Sequence, residues 1–204
     1  MRTVARPKII TQFTHDKLQS NIIKTPLSTP KKILSSPNKK TPLSPKLKIH
    51  SAFTLKLKNS TFSANEILTD DVTNGSLWIG NYNDSLIAHE YGIHSIINLA
   101  DECKTPLQKT NYISYYHYHL IDKSSFSISN YFDEITNLIN ELIKDGKKIL
   151  IHCREGISRS PAFAIAYLMK YHDKSYNDAY DFIKNNRNKI ALNFGFHDEL
   201  QDFK

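Results

Sequence analysis

Cys153 and Arg159 stand six positions apart in the run Ile149-Leu150-Ile151-His152-Cys153-Arg154-Glu155-Gly156-Ile157-Ser158-Arg159-Ser160. The cysteine closes an apolar strand-like stretch, and the arginine opens a helix-like one. The residues between them, Arg154, Glu155, Gly156, Ile157 and Ser158, are few enough to wrap as a cradle with backbone N–H groups pointing inward. Such a cradle at the positive end of a helix binds a dianionic oxyanion. The same field favours a thiolate, which makes Cys153 a candidate nucleophile. The planar fork of Arg159 grips two oxygens of a tetrahedral anion, which a lysine cannot do, and Gly156 allows the tight backbone. Singly, a strand-end cysteine is usually core, a glycine a turn and an arginine a surface group. The joint pattern points to chemistry on an oxyanion.

Positioning these residues requires an α/β fold. Ser76–Ile79, Ile93–Leu99, Tyr112–Leu120 and Lys148–Ile151 read as strands, rich in isoleucine and aromatics. Asn130–Lys144 reads as a helix, with Phe132, Ile135, Leu138, Ile139, Leu142 and Ile143 on one face, Ser129 or Asn130 as its cap and Gly146 past its end. A second helix is expected from Ser160 to His172, with Pro161 in its first turn. A third runs from Ser175 to Asn186, opened by the Ser175/Asp178 capping pair. A last short helix begins near Gly195. Strands alternating with helices imply a central, mainly parallel sheet flanked by helices.

Composition divides the chain. Residues 1–60 carry 13 basic residues and one acid, Asp16, whereas residues 61–204 carry 14 basic and 19 acidic residues. Six of the eight prolines lie in the first part, and all six glycines and all eleven tyrosines in the second. With only Phe13 and Phe53 as aromatics, the first part lacks the apolar contacts that offset ordering entropy. We therefore expect a disordered basic tail over 1–66 and a folded domain over 67–204. Thr25, Thr29, Ser36, Thr41 and Ser44 each precede proline, the local form a proline-directed kinase accepts. Four readings stand for the tail: a solvated extension, nuclear targeting or weak attraction to a polyanion, a kinase-docking arm, and a mitochondrial transit peptide. No stretch approaches roughly 18 consecutive apolar residues, which argues against a membrane-spanning helix. Two cysteines, Cys103 and Cys153, are too few for a disulfide framework or a structural zinc site. A reducing, intracellular compartment (cytoplasmic or nuclear) is the natural reading. Cys103 is either a plain loop cysteine or a thiol that protects Cys153 from over-oxidation.

The run HCREGISRSP at His152–Pro161 resembles the signature of cysteine-dependent protein phosphatases, and among them the dual-specificity protein phosphatases, small VHR-like members in particular. The resemblance continues in Gly75–Gly80, in Ala166–Met169, in Asn185–Arg187, and in Asn193–Phe196 with Leu200. It spans roughly Thr73 to Lys204 and leaves the first 60 residues uncovered. Leu192 departs from the family, whose members often have proline there.

The resemblance implies a two-step reaction without metal or cofactor, in which Cys153 attacks phosphorus and a phosphocysteine is then hydrolysed. It implies a general acid on a loop about 30 residues before the cysteine. Asp122, 31 residues upstream, fits, whereas Asp133 and Glu134 fall inside the helix. Ser160 resembles the hydroxyl that hydrogen-bonds the leaving thiolate, His152 and Asn193 support the loop, and Arg187 corresponds to a position near the pocket mouth that meets a second phosphate. A helix-end arginine offsetting the dipole is the plainer reading of Arg187. An acid and a thiolate acting together imply a bell-shaped pH dependence. The implied substrate is a protein carrying phosphotyrosine or phosphoserine/phosphothreonine. Alternatives are a phosphoinositide, an RNA 5′-triphosphate, or phosphoprotein binding without turnover.

Overall fold

Lys148–His152 forms the central strand in a computed structural model that describes residues 61–104 and 113–203. In chain order the strands are β1 (Asn65–Thr69), β2 (Ser76–Gly80), β3 (Ser95–Asn98), β4 (Ser114–His117) and β5 (Lys148–His152), arranged β1-β2-β5-β3-β4 across the sheet. Only β1 is antiparallel to its neighbour. The register follows the side-chain period of two: Ile79, Ile151 and Ile97 lie abreast, as do Trp78, Leu150 and Ile96. Consecutive residues face opposite sides, so one row serves each of two cores. The first row joins the large core under the helices, and the second joins Ala88 and Ile93, with Phe62 and Tyr115 packed alongside.

The helices are α1 (Tyr82–Ile87), α2 (Phe132–Lys144), α3 (Arg159–Tyr171), α4 (Tyr176–Asn186) and α5 (Phe194–Asp202). Helix α2 buries Phe132, Ile135, Ile139, Leu142 and Ile143 as its periodicity predicts. Its expected side-chain cap is not formed. A 3₁₀ turn, Ser129–Tyr131, precedes it, and the Glu199 carboxylate of α5 accepts from the Ile128 and Ser129 N–H groups at 2.7 and 2.6 Å. Helix α3 is buried from Arg159 to Leu168, which marks it as the central helix rather than an amphipathic surface one. Ser175 caps α4, accepting from Asp178 N–H at 3.2 Å.

The sequence reading passed over β1 and α1, and it placed residues 61–66 with the tail. The structure corrects that boundary. The Phe62 ring stacks on Tyr91 with centroids 3.9 Å apart, and Ser63 N–H donates to Asp84 at 2.6 Å. Asp84 also accepts from Asn81 N–H and closes a capping box with the Asn81 side chain at the start of α1. One buried carboxylate, Asp84, thus holds both the start of α1 and the segment before β1. Residues 1–60, expected to be disordered, lie outside the described residues. No helix among the described residues is long and apolar enough to cross a membrane.

Because β2, β3, β4 and β5 are mutually parallel, the segments after Gly80, Asn98, His117 and His152 leave the sheet at one edge. In open α/β sheets, that carboxyl edge is where ligands bind.

Candidate active site

Cys153 follows β5 directly and is buried. Its Sγ accepts from Gly156 N–H at 3.3 Å and from Ser160 Oγ–H at 3.4 Å. Gly156 has φ +69°, and a Cβ there would lie 2.5 Å from Gly80 O and 2.6 Å from Arg187 Nη2. Both the backbone conformation and the space therefore demand glycine.

Donors outside the loop hold its carbonyls. Arg154 O accepts from Tyr82 N–H at 3.0 Å, Gly156 O from Arg187 Nε at 2.8 Å, and Ile157 O from Ala191 N–H at 2.7 Å. In a trans peptide the next N–H points opposite to the carbonyl. Turning these three carbonyls outward therefore turns the Glu155, Ile157 and Ser158 amides toward the cradle. Added to them are the free amides of the first turn of α3. This is the anion cradle expected from the spacing. The Arg154 and Glu155 side chains point to solvent and pair with each other at 3.6 Å.

Arg159 is buried at the start of α3. Nη1 donates to Leu120 O at 2.9 Å and to Glu102 Oε2 at 2.8 Å, Nη2 donates to Glu102 Oε1 at 2.6 Å, and Nε lies 3.5 Å from Asp122 Oδ2. The hydrogen bonds from Arg159 hold the Glu102 carboxyl below its ordinary value, against the opposing effect of burial. Asp122 follows β4 and stands at the loop. Its Oδ1 accepts from Ser158 Oγ–H at 2.8 Å and from Asn193 Nδ2 at 2.8 Å. Asp133 instead pairs with Lys170 on the surface, and Glu134 accepts from Tyr118 OH at 3.3 Å. Buried His152 places Nδ1 3.2 Å from Cys153 O, and burial pulls it down to about 4. A ring neutral at physiological pH suits holding the loop more than moving protons.

Residues 77–204 match the family described as "Dual specificity phosphatase, catalytic domain". The chain belongs to this family. Human dual specificity protein phosphatase 7 is 34% identical over 131 residues, covering 63% of this chain and 31% of that protein. Human dual specificity protein phosphatase 6 is 33% identical over 131 residues, covering 63% of this chain and 34% of that one. The chain thus spans about a third of these relatives' length. Among solved structures, the human tyrosine phosphatase-like serine/threonine/tyrosine-interacting protein superposes with a TM-score of 0.60 at 29% identity, covering 69% of this chain and 94% of that one.

In this dual-specificity phosphatase domain, one expectation fails. Arg187, expected at the pocket mouth or exposed at a helix end, is 2% exposed. It caps the C-terminus of α4 and turns beneath the loop, donating to Gly156 O, to Ser63 O at 3.1 Å and to Asn65 Oδ1 at 2.5 Å. With Nε and Nη1 engaged there, it supports the loop from beneath instead of standing exposed at its mouth. Glu102 was missed altogether. It lies just past the strand that neighbours β5, and that adjacency is a property of strand order, which the linear sequence does not display. Cys103 is buried in a small cluster with Ala100 and Cys153, Tyr82 packing beside it, and burial pushes its thiol up to about 11. Among the described residues, no group of three or more His, Cys, Asp or Glu is placed to hold a metal ion.

Proposed function

We propose that this chain is a protein phosphatase that hydrolyses phosphotyrosine and phosphoserine/phosphothreonine through a phosphocysteine intermediate. The observation that carries the proposal is the set of groups converging on one point. Cys153 Sγ is held by Gly156 N–H and Ser160 Oγ–H, below inward amides, with Arg159 and Asp122 at the rim. In the first step Cys153 Sγ bonds to phosphorus as the phosphorus–oxygen bond to the substrate breaks, and Asp122 gives its proton to the departing oxygen. The amides and Arg159 hold the charge on the three remaining oxygens. In the second step Asp122, now a carboxylate, takes a proton from a water as that water attacks phosphorus. The sulfur–phosphorus bond breaks, and Ser160 Oγ–H stabilises the thiolate that leaves.

An intracellular, reducing location agrees with two free thiols and a nucleophile that must stay reduced. A proline-directed kinase docked on the basic segment over residues 1–60 is the partner its Thr-Pro and Ser-Pro pairs support.

The test is phosphate release by the wild type and by Cys153→Ser from matched phosphotyrosine and phosphothreonine peptides, a phosphoinositide and a 5′-triphosphate RNA. Turnover of both peptides, lost in the variant, is the expected result. Preference for the lipid or the RNA overturns the substrate assignment, and binding of the peptides without turnover of any substrate overturns the enzyme.

A further inference from the structure

Every phenylalanine among the described residues is buried or half-buried except Phe194, which is 85% exposed. A single exposed apolar residue ordinarily needs no explanation. This one is distinguished by where it is held. Phe194 begins α5, immediately after Asn193, whose side chain donates to Asp122. The segment leading to it is tied to the phosphate cradle through Ala191 N–H and Ile157 O at 2.7 Å. The residue after it, Gly195, packs so closely on the loop carrying Asp122 that a Cβ would lie 2.2 Å from Ser124 O. Three ties thus fix the backbone at Phe194 beside the loop that carries the general acid. Ile121, adjacent to Asp122 in the chain, is also exposed, at 42%. Of four large apolar residues left exposed in the described domain, two flank Asp122.

We propose that Phe194, with Ile121 beside it, determines specificity by receiving a large apolar side chain one or two residues from the phosphorylated residue of a protein substrate. The inference rests on the protein-phosphatase reading and deepens it. An extended peptide advances about 3.3 Å per residue, so a neighbour one or two positions from a phosphoresidue over Cys153 is set off by the scale of the contacts that lead from Ser158 of the cradle through Asp122 to Asn193. Charge also favours an apolar neighbour. Arg154 and Glu155, the exposed charged side chains of the loop, neutralise each other and leave no net demand for a charged one. The contact removes apolar area from water on both sides, a gain that a serine in the same peptide position does not give.

The experiment compares two phosphotyrosine peptides, identical except for leucine or serine at the positions flanking the phosphoresidue. Each is assayed with the full chain as wild type and as Phe194→Ser, with an aryl phosphate reporting the phosphate pocket in each protein. Within the wild type, kcat/KM favours the leucine peptide about five- to twentyfold, chiefly through KM. In Phe194→Ser that ratio falls by about threefold or more, to the selectivity that Ile121 alone supplies. A ratio near one in the wild type, or a ratio that survives the substitution, overturns the inference and leaves the phosphatase reading standing. Hydrolysis of the aryl phosphate with neither peptide turned over removes the protein substrate and the inference together. If the substitution changes the sedimentation coefficient while the peptide ratio persists, Phe194 serves contact between copies of the chain and the inference falls.

Discussion

A phosphoryl group passing to sulfur needs its leaving oxygen protonated only as far as that oxygen is a poor leaving group. Asp122, held through Oδ1 by Ser158 and Asn193, has its other oxygen toward Arg159 and the cradle. Asp122→Asn keeps an acceptor for both donors and loses the proton. It is expected to lower kcat/KM by about 10²- to 10⁴-fold on phosphoserine peptides, whose alkoxide leaves poorly, and far less on an aryl phosphate with an acidic phenol. An equal loss on both substrates would remove Asp122 from the proton-transfer role. His152 gives a second test at this scale. Unfolded, its ring takes a proton near its ordinary value of 6.5, whereas in the fold burial delays this to about 4. Between those values the unfolded chain binds more protons, so stability falls as pH falls through the window, by on the order of 3 kcal/mol for this group alone. Burial lowers His117 and His172 as well, which adds to the slope. Denaturant unfolding at pH 7 and pH 4.5 should show a smaller acid loss for His152→Asn than for the wild type. Identical losses would mean that the buried imidazole does not carry the effect.

At the scale of elements, Arg187 ties the end of α4 to the underside of the cradle and to the chain just before β1 and at its start. A lysine ammonium carries its three donors on one nitrogen and cannot reproduce the spread of Nε and Nη1 across these acceptors. Arg187→Lys is therefore expected to lose about 2–4 kcal/mol of stability, because it leaves the Gly156 carbonyl buried without its donor. It should lower kcat/KM on singly and doubly phosphorylated peptides alike. Loss confined to doubly phosphorylated peptides, with the melting temperature unchanged, would restore the role in binding a second phosphate. This arginine also shows where the sequence stopped being informative. The elements around the cradle were legible because each is a local event: an apolar strand, a glycine, then a helix buried from its first turn. Asp122 was legible through family resemblance and spacing. Glu102 and the inward turn of Arg187 depend on which strands become neighbours and on what fills the space beneath a loop. Strand β1 was missed because Ile67 and Leu68 are its only large apolar residues, and α1 because six residues are too few to show a helical period.

At the scale of the whole molecule, the folded unit reaches back past the domain boundary drawn at residue 67, toward the place near residue 60 where the charge changes. Ser63 meets Asp84 through both its N–H and its hydroxyl, its carbonyl accepts from Arg187, and Asn65 accepts from the same guanidinium that holds the cradle through Gly156 O. The start of the domain is therefore connected to the phosphate-binding backbone through one side chain. Two truncations separate the contributions. A chain beginning at residue 61 keeps every contact just named and is expected to hydrolyse an aryl phosphate with kcat/KM within about twofold of the full chain, since no described site contact lies before Ser63. A chain beginning at residue 67 loses Ser63 and Asn65, leaves Arg187 Nη1 buried without acceptors, and removes the Phe62 ring from Tyr91. It should unfold at a denaturant concentration lower by the equivalent of about 2–4 kcal/mol and lose activity along with stability. Equal stability of the two truncations would show that the segment from 61 to 66 rests on the domain without supporting it. Loss of aryl phosphate turnover already at residue 61 would show that the basic segment takes part in the pocket's own chemistry.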